Sequence, residues 1–277
     1  MSALIDAHQH FWRIDRGDYG WMEGAGPLLR RDYLPVDLRP HLDRFGIRKT
    51  ILVQAAPTRA ETEFMLDLAR ENDFIAGVVG WLDLESARFA EELDELRAHP
   101  KFVGLRPMLQ DLEDDSWILR PAVLAALSQM ASAGVSLDVL SLPRHLPYVL
   151  EALGQAPNLR AVIDHASKPL IARGALQPWQ DNIAAIAALP NVYCKISGLI
   201  TEADHMAWTV SDLSPYVGYV VECFGPDRLM WGSDWPVCRL AGAYGDALAA
   251  AMLALPPQLR SDARIFGGNA ARFYARY

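Results

Sequence analysis

Short apolar runs recur along the chain, and after each run apolar residues return at the spacing of a helix. The runs are nearly continuous in apolar character, which is typical of strands buried on both faces of a parallel sheet. Eight of them predict β-strands. The predicted strands cover residues 4–8, 50–55, 75–81, 102–108, 135–140, 161–165, 192–197 and 229–233.

The stretches between the runs predict amphipathic helices, so strands and helices alternate along the chain. Eight such units within 277 residues favour a (β/α)8 barrel. An open, doubly wound parallel sheet is the alternative. The predicted helices include residues 61–71, 87–98, 120–133, 145–153, 179–189 and 215–224.

One domain is predicted to span residues 1–277, because no linker rich in proline, glycine or serine divides the chain. Residues 11–34 form a long segment directly after the first strand, where loops of barrel enzymes are often functional. Two interpretations stay open for it, a lid over the barrel mouth and a flap that packs on the rim. Its aromatic residues are Phe11, Trp12, Tyr19, Trp21 and Tyr33.

Composition and missing motifs exclude several classes of function. The net charge of -8 is dispersed, which argues against nucleic-acid and membrane partners. We find no signal peptide, no apolar stretch long enough for a membrane span, no glycine-rich nucleotide loop and no GxSxG elbow. The widely spaced Cys194, Cys223 and Cys238 predict reduced thiols in a cytoplasmic protein. A homo-oligomer is compatible with the sequence but not required by it.

The first strand ends in two histidines, within LIDAHQH. Alternation along a strand predicts that Asp6, His8 and His10 face the barrel axis, whereas Ile5 and Ala7 face the helices. Two imidazoles at this spacing can bind one metal ion or one substrate oxygen. Because the pair lies at the carboxyl end of a barrel strand, we expect it to belong to an active site.

Further ionisable residues follow the sixth and eighth strands. Asp234 comes directly after an apolar run and is a candidate catalytic carboxylate, with a turn or helix-capping aspartate as the alternative. Asp164, His165 and Lys168 follow the sixth strand. Alternation predicts that either Asp164 or His165 faces away from the axis, and we expect His165 to be the active one.

Two cations interrupt apolar strands, and one tryptophan closes a third. Arg106 and Lys195 are out of phase with their apolar neighbours and should point inward, where each needs an acidic partner or an oxygen-rich ligand. Substrate binding is one interpretation, and ion pairing with Asp6 or Asp138 is the other. Trp81 is a candidate surface for the apolar face of a sugar.

Motifs spread along nearly the whole chain resemble the amidohydrolase superfamily. More narrowly, they resemble its sugar-lactone hydrolases of the L-fuconolactonase and L-rhamnonolactonase type. The resemblance implies a barrel enzyme that hydrolyses a sugar lactone to the sugar acid. The motifs are, in order, IDAHQHFW, VQAAPTRAETEFML, GVVGWLDL, GLRPMLQD, IDHASKP, CKISGLITEAD, GSDWPV and FGGNAARFY.

Matching positions imply a first-strand pair, a sixth-strand histidine and a last-strand aspartate, which are His8, His10, His165 and Asp234. Arg106 and Lys195 match as substrate contacts. The chain departs from metal-dependent members on two strands, because strand four supplies no bridging lysine or glutamate and strand five has no histidine. This argues against a binuclear centre. One divalent metal such as zinc on the histidines and the aspartate stays compatible, and no cofactor is expected to be required.

The predicted reaction is attack on a lactone carbonyl by a water molecule that Asp234 activates, with the histidines and nearby cations polarising the carbonyl. A metal-dependent decarboxylase, a lactone isomerase and a dicarboxylate-lactone hydrolase are the alternatives. The last would need several arginines, so loop residues would have to join Arg106. The candidates are Arg59, Arg144 and Arg239. A sugar-binding barrel without activity would not explain the convergence of ionisable groups.

Overall fold

The computed structural model describes residues 4–24 and 26–275. Its centre is one sheet of eight parallel strands in chain order. Every predicted strand is present, and seven of the eight end one to three residues earlier than predicted. The strands are β1 (Leu4–Gln9), β2 (Ile47–Val53), β3 (Ile75–Gly80), β4 (Phe102–Leu105), β5 (Ser136–Val139), β6 (Ala161–Ile163), β7 (Val192–Ile196) and β8 (Leu229–Trp231).

The sheet closes between its first and last strands. The His10 N–H donates to the Trp235 carbonyl at 2.7 Å, and the Asp234 N–H donates to the His8 carbonyl at 2.8 Å. These bonds join the end of β1 to the segment after β8. The predicted (β/α)8 barrel is therefore confirmed, and its closure places Asp234 beside the histidine pair.

Helices connect the strands and cover the outside of the barrel. One of them, α8, begins at Val210 rather than at residue 215, because Thr209 and Asp212 form a capping box in which the Thr209 N–H donates to the Asp212 carboxylate at 2.7 Å. Within the described ranges, no helix is long and apolar enough to cross a membrane. The helices are α1 (Pro35–Phe45), α2 (Arg59–Glu71), α3 (Phe89–Arg97), α4 (Pro121–Ala133), α5 (Leu146–Gln155), α6 (Trp179–Ala187), α7 (Leu199–Glu202), α8 (Val210–Phe224), α9 (Tyr244–Ala254) and α10 (Asn269–Phe273).

Apolar side chains fill the part of the barrel lumen that lies near the amino ends of the strands. Ile5, Val53, Val103 and Met230 come from different strands yet form one buried cluster, so they lie in the lumen. Residues of α10 and Tyr274 join this cluster near the amino ends of the strands. Because the lower lumen is packed, space for a ligand remains at the carboxyl ends, where barrel enzymes hold their active sites.

Candidate active site

A cavity of about 140 Å³ opens at the carboxyl ends of the strands. Since one water molecule occupies about 30 Å³ of liquid, the cavity has room for one small ring. It holds five of the predicted site residues and an apolar wall. Its lining residues are His10, Trp21, Ala55, Arg106, Met108, Gln110, Leu140, His165, Lys168, Asp234 and Val237.

The histidines of β1 point toward this cavity, but a β-bulge interrupts the alternation that predicted it. Three steps along β1, from Asp6 to Gln9, match two steps along β2, so β1 contains one extra residue. Before the bulge, Ile5 faces the lumen and Asp6 faces the helices, where its carboxylate accepts a hydrogen bond from the Tyr244 hydroxyl at 3.0 Å. The predicted common face of Asp6 with the histidines is therefore wrong.

Three imidazoles and one carboxylate meet at the base of the cavity, where His10, His165 and Asp234 are part of the lining and His8 is fully buried and outside it. Asp234 Oδ1 lies 3.2 Å from His10 Nε2, 3.7 Å from His8 Nε2 and 3.9 Å from His165 Nε2. The two Nε2 atoms of His8 and His10 are 3.2 Å apart. The four residues that the sequence singled out as catalytic thus form one group.

Burial and contacts with neighbouring side chains determine the charges of His8, His165 and Asp234. It lowers the pKa of His165 to about 4 and that of His8 well below its ordinary value, so both imidazoles are neutral near pH 7. Burial alone would raise the pKa of Asp234. The electrostatic pull of His165 and the contacts with His10 and His8 outweigh it and hold this pKa well below its usual range. Asp234 is therefore an ionised carboxylate, the form that a general base needs.

The turn after β6 brings both Asp164 and His165 into the site. His165, Ala166, Ser167 and Lys168 all have left-handed backbone angles, with φ between 49° and 59°. Such angles are rare for residues other than glycine and cluster at functional sites. The expectation that Asp164 or His165 must face away was wrong, because strand alternation ends at Ile163.

Arg106 is buried in the wall of the cavity and is held by protein groups. It donates to the Gln54 carbonyl, its Nη1 lies 3.4 Å from Asp164 Oδ2, and the Gln54 amide donates back to the Arg106 carbonyl at 2.8 Å. Its buried Nε has no hydrogen-bond partner among the described residues. The guanidinium is thus fixed in place beside the cavity.

Lys195 lies behind His8 rather than in the cavity wall. It is fully buried, and its Nζ lies 2.5 Å from Asp138, 3.0 Å from Asp164 and 3.1 Å from His8 Nδ1. The ion-pair interpretation with Asp138 is therefore the one that the geometry favours, and the structure does not bring Lys195 to the substrate space. Lys168 does line the cavity, with Glu202 3.7 Å away.

Trp81 also does not line the cavity; it is half-buried, and its backbone hydrogen-bonds with the Thr62 hydroxyl. The arginines suggested as additions from loops do not line it either. Arg59 pairs with Glu63 and Glu95, Arg144 pairs with Asp115, and Arg239 donates to the Tyr33 hydroxyl.

The sequence analysis missed six of the residues that line the cavity, namely Trp21, Ala55, Met108, Gln110, Leu140 and Val237. Met108 continues the alternation of Arg106 beyond β4, so its position in GLRPMLQD carried a usable signal, whereas Gln110 lies in a short 3-10 helix (Leu109–Asp111) that strand alternation does not describe. A parallel bridge between Met108 and Leu140 extends the sheet to the cavity wall. Trp21 comes from the long loop after β1, whose path the sequence pattern does not define.

The loop of residues 11–34 packs on the rim and also reaches the cavity. Phe11, Trp12 and Tyr33 are fully buried, which fits the packing interpretation. Trp21 lines the cavity, and its indole N–H donates to the Ala55 carbonyl at 2.7 Å. The loop therefore combines the two interpretations, with its aromatic base in the core and its middle over the site.

Glu61 fastens this loop to the barrel. Its carboxylate is fully buried and accepts hydrogen bonds from the Tyr19 hydroxyl at 2.7 Å and the Ala55 N–H at 3.2 Å, with Arg16 Nε 3.5 Å away. Burial raises the pKa of Glu61 to about 7. The folded state therefore holds a proton here that the unfolded chain loses near pH 4.5.

We expect Glu61→Gln to change how stability depends on pH. A raised pKa makes wild-type stability fall as pH rises from about 4.5 to about 7, by at most about 1.4 kcal/mol per pH unit from this group, whereas glutamine has no such slope. Urea unfolding at pH 5, 6, 7 and 8 should therefore show that the free energy of unfolding of the variant increases relative to that of the wild type as pH rises. The exposed Glu63→Gln is the control, and a constant difference across the series would contradict the expectation.

The backbone of Gly198 packs closely against the ring of His165. Its φ of +64° is left-handed, and a Cβ atom there would lie 2.6 Å from His165 Nδ1 and 3.2 Å from Asp234 Oδ2. We expect Gly198→Ala to lower kcat about 10-fold or more by displacing His165, and to cost about 1–3 kcal/mol of stability. Steady-state kinetics and urea unfolding measure both. Gly154→Ala, in α5 with open space around it, should do neither; unchanged kinetics in Gly198→Ala would show that His165 tolerates displacement.

The group at the cavity floor also fits a single divalent metal. Ligand atoms around a tetrahedral zinc ion, with bonds of about 2.0–2.1 Å, lie about 3.3 Å apart. The contacts of Asp234 Oδ1 with the three Nε2 atoms range from 3.2 to 3.9 Å. His8, His10 and Asp234 form one such donor group, and His8, Asp164 and His165 form another.

Known proteins share this architecture and sequence. The family model described as amidohydrolase matches residues 5–276. L-fucono-1,5-lactonase of Burkholderia ambifaria is 45% identical over 99% of this chain and 96% of its own length, and that of Burkholderia multivorans is 39% identical over 99% and 97%. An amidohydrolase crystal structure from Burkholderia multivorans, with bound zinc, is 37% identical and covers 100% of both chains with a TM-score of 0.93. The chain therefore belongs to the amidohydrolase family.

Proposed function

We propose that this protein hydrolyses a sugar lactone and releases the sugar acid. The observation that carries the proposal is the ionised Asp234 among three imidazoles at the floor of a cavity with room for one ring. The names of the two similar L-fucono-1,5-lactonases support the same class of substrate. An L-fuconolactone or a related aldonolactone is thus the first substrate to test.

Asp234 acts as the general base in this proposal. Its Oδ1 lies 3.2 Å from His10 Nε2, and the other ring nitrogen of His10, Nδ1, contacts the Val53 carbonyl at 2.8 Å, so the imidazole is held against the carboxylate. Asp234 takes up the proton that leaves the attacking water. The water oxygen forms a bond to the lactone carbonyl carbon, and the carbonyl oxygen takes up negative charge.

Arg106 stabilises that charge, because its guanidinium is fixed in the cavity wall and needs no rearrangement when the oxyanion forms. When the intermediate collapses, the bond between the carbonyl carbon and the ring oxygen breaks. Asp234 then returns its proton to the departing oxygen, which becomes a hydroxyl group. Protons and electrons balance without a further reactant.

A zinc ion held by His8, His10, His165 and Asp234 would supply Lewis acidity toward the carbonyl when bound. We propose that the reaction does not require it, because an ester oxygen leaves readily and Arg106 already places a positive charge at the site. The polar Lys168 and Gln110 are suited to the hydroxyl groups of a sugar, and Trp21 to its apolar face.

Hydrolysis of a panel of aldonolactones, followed with a pH indicator with and without chelator, tests the proposal. We expect acid release from at least one L-sugar lactone, and activity that survives the chelator. Failure on every lactone would overturn the proposal. Carbon dioxide release that the chelator abolishes would favour the decarboxylase alternative. A cytoplasmic location is also part of the proposal, supported by the three free thiols.

A further inference from the structure

Lys168 and Glu202 form an ion pair at the edge of the cavity. Lys168 lines the cavity, and its Nζ lies 3.7 Å from Glu202 Oε1. This distance is longer than that of a hydrogen bond, and neither side chain forms a hydrogen bond with another described residue. The ammonium group therefore keeps its donors, and the carboxylate keeps its acceptors, for a ligand or for water.

The backbone sets the positions of both residues at neighbouring strand ends. Lys168 closes the left-handed turn after β6, where its φ is 50° and its N–H donates to the His165 carbonyl at 2.8 Å. Glu202 is the last residue of α7, the short helix after β7, and α7 buries Leu199 and Ile200. Because β6 and β7 pair with each other, the two residues meet at the mouth of the barrel.

The charges of the site act on the Glu202 carboxylate. Burial raises the pKa of Glu202, the positive charge of Lys168 lowers it, and the negative charge of Asp234 raises it again. The side chains of Lys168 and Glu202 are 23% and 21% exposed, so solvent screens their charges only in part. A ligand in the cavity therefore meets a cation and an anion side by side.

A hydroxyl group can bind both members of the pair at once, because it accepts a hydrogen bond from an ammonium group and donates one to a carboxylate. A carboxylate on the ligand can only accept, so it would be attracted by Lys168 and repelled by Glu202. Such a repulsive element is a common basis of specificity. Among the described residues that line the cavity, Arg106 is the other lysine or arginine, and it already pairs with Asp164.

We infer that Lys168 and Glu202 are specificity-determining residues that select a neutral, hydroxylated ring and reject a ring that carries a carboxylate. The inference rests on the proposed function, because it places a lactone ring in the cavity. It adds Glu202 to the residues that bind the substrate, although Glu202 does not line the empty cavity. It also separates sugar lactones from dicarboxylate lactones by a single charge.

Two lactams test the selection by calorimetric titration, because an amide keeps the shape of a lactone ring and its nitrogen is a poor leaving group. One is L-fuconolactam, and the other is δ-valerolactam with a carboxylate on the carbon next to nitrogen. We expect Lys168→Met and Glu202→Gln each to weaken binding of L-fuconolactam about 10-fold or more, as for loss of a hydrogen bond to a charged group. Glu202→Gln should instead strengthen binding of the carboxylated lactam about 3-fold, because the repulsion is removed.

Opposite changes for the two ligands in Glu202→Gln are the decisive result, because a variant that only loosened the mouth would weaken both. Weakening of both, unchanged affinities, or no binding of L-fuconolactam by the wild type would overturn the inference. Circular dichroism establishes that the variants are folded. The controls are Lys49→Met, near the amino end of β2, and Glu91→Gln, on the exposed surface of α3, which should leave both affinities unchanged.

The binding measurements need no turnover, so they fail or succeed separately from the proposed hydrolysis. If every lactone resisted hydrolysis while the lactams behaved as expected, the proposed function alone would be wrong. If lactones were hydrolysed but Glu202→Gln changed both affinities in parallel, only the role of the ion pair would be wrong.

Discussion

Replacing Asp234 with asparagine is expected to lower kcat for the best lactone by about 100-fold to 10,000-fold, the range typical of a lost general base. Asparagine keeps the size and one carbonyl oxygen near His10 Nε2, which lies 3.2 Å from Asp234 Oδ1, but it cannot take a proton from water. KM should change little, because the amide preserves the shape of the cavity floor. Steady-state kinetics measures the two parameters separately.

The matched control is Asp43→Asn, on the exposed surface of α1, which should leave kcat unchanged. Urea unfolding establishes that the Asp234 variant is folded. If the folded variant kept full activity, Asp234 would not be the base, and the proposed mechanism would be wrong whatever the substrate.

Replacing Arg106 with methionine is expected to lower kcat/KM by about 100-fold to 1,000-fold, as for loss of a fixed oxyanion donor. The side chain is only 3% exposed, so bulk solvent cannot compensate for the loss of its positive charge. The loss should fall mainly on kcat, because the negative charge that Arg106 faces exists only in the transition state. Removal also leaves the Gln54 carbonyl without its donor, at a cost of about 1–3 kcal/mol in stability.

Arg239→Met is the control, since Arg239 lies near the mouth but binds the Tyr33 hydroxyl instead of lining the cavity. Arg106→Lys keeps the charge without the forked geometry and should restore part of kcat. A fall confined to KM would assign Arg106 to ground-state binding rather than to charge stabilisation.

The barrel was predictable because its strands differ sharply from their surroundings in apolar character. Alternation also placed Lys195 on the inner side correctly, but it failed where the backbone leaves regular strand geometry. The bulge after Asp6 and the left-handed turn from His165 to Lys168 depend on backbone angles, and the pattern of polar and apolar residues does not predict them. Both departures lie beside the site, where irregular geometry is expected to concentrate.

The tryptophan prediction failed for a different reason. Trp81 was chosen because it closes a strand, whereas Trp21 reaches the cavity through a loop whose course depends on contacts with Glu61 and Ala55. Those contacts join positions far apart in sequence. Polarity patterns report which residues are buried, but not which distant segments meet.

The closure of the barrel also has a consequence for folding. His10 and Asp234 are 224 positions apart in the chain, and hydrogen bonds between the ends of β1 and β8 hold them together. A nascent chain on the ribosome, or a refolding intermediate that lacks its last strand, therefore cannot assemble the base and its imidazole partners. Recovery of catalysis during refolding should coincide with docking of β8 against β1. The rate at which enzyme activity returns would therefore report the rate of the final long-range step of folding.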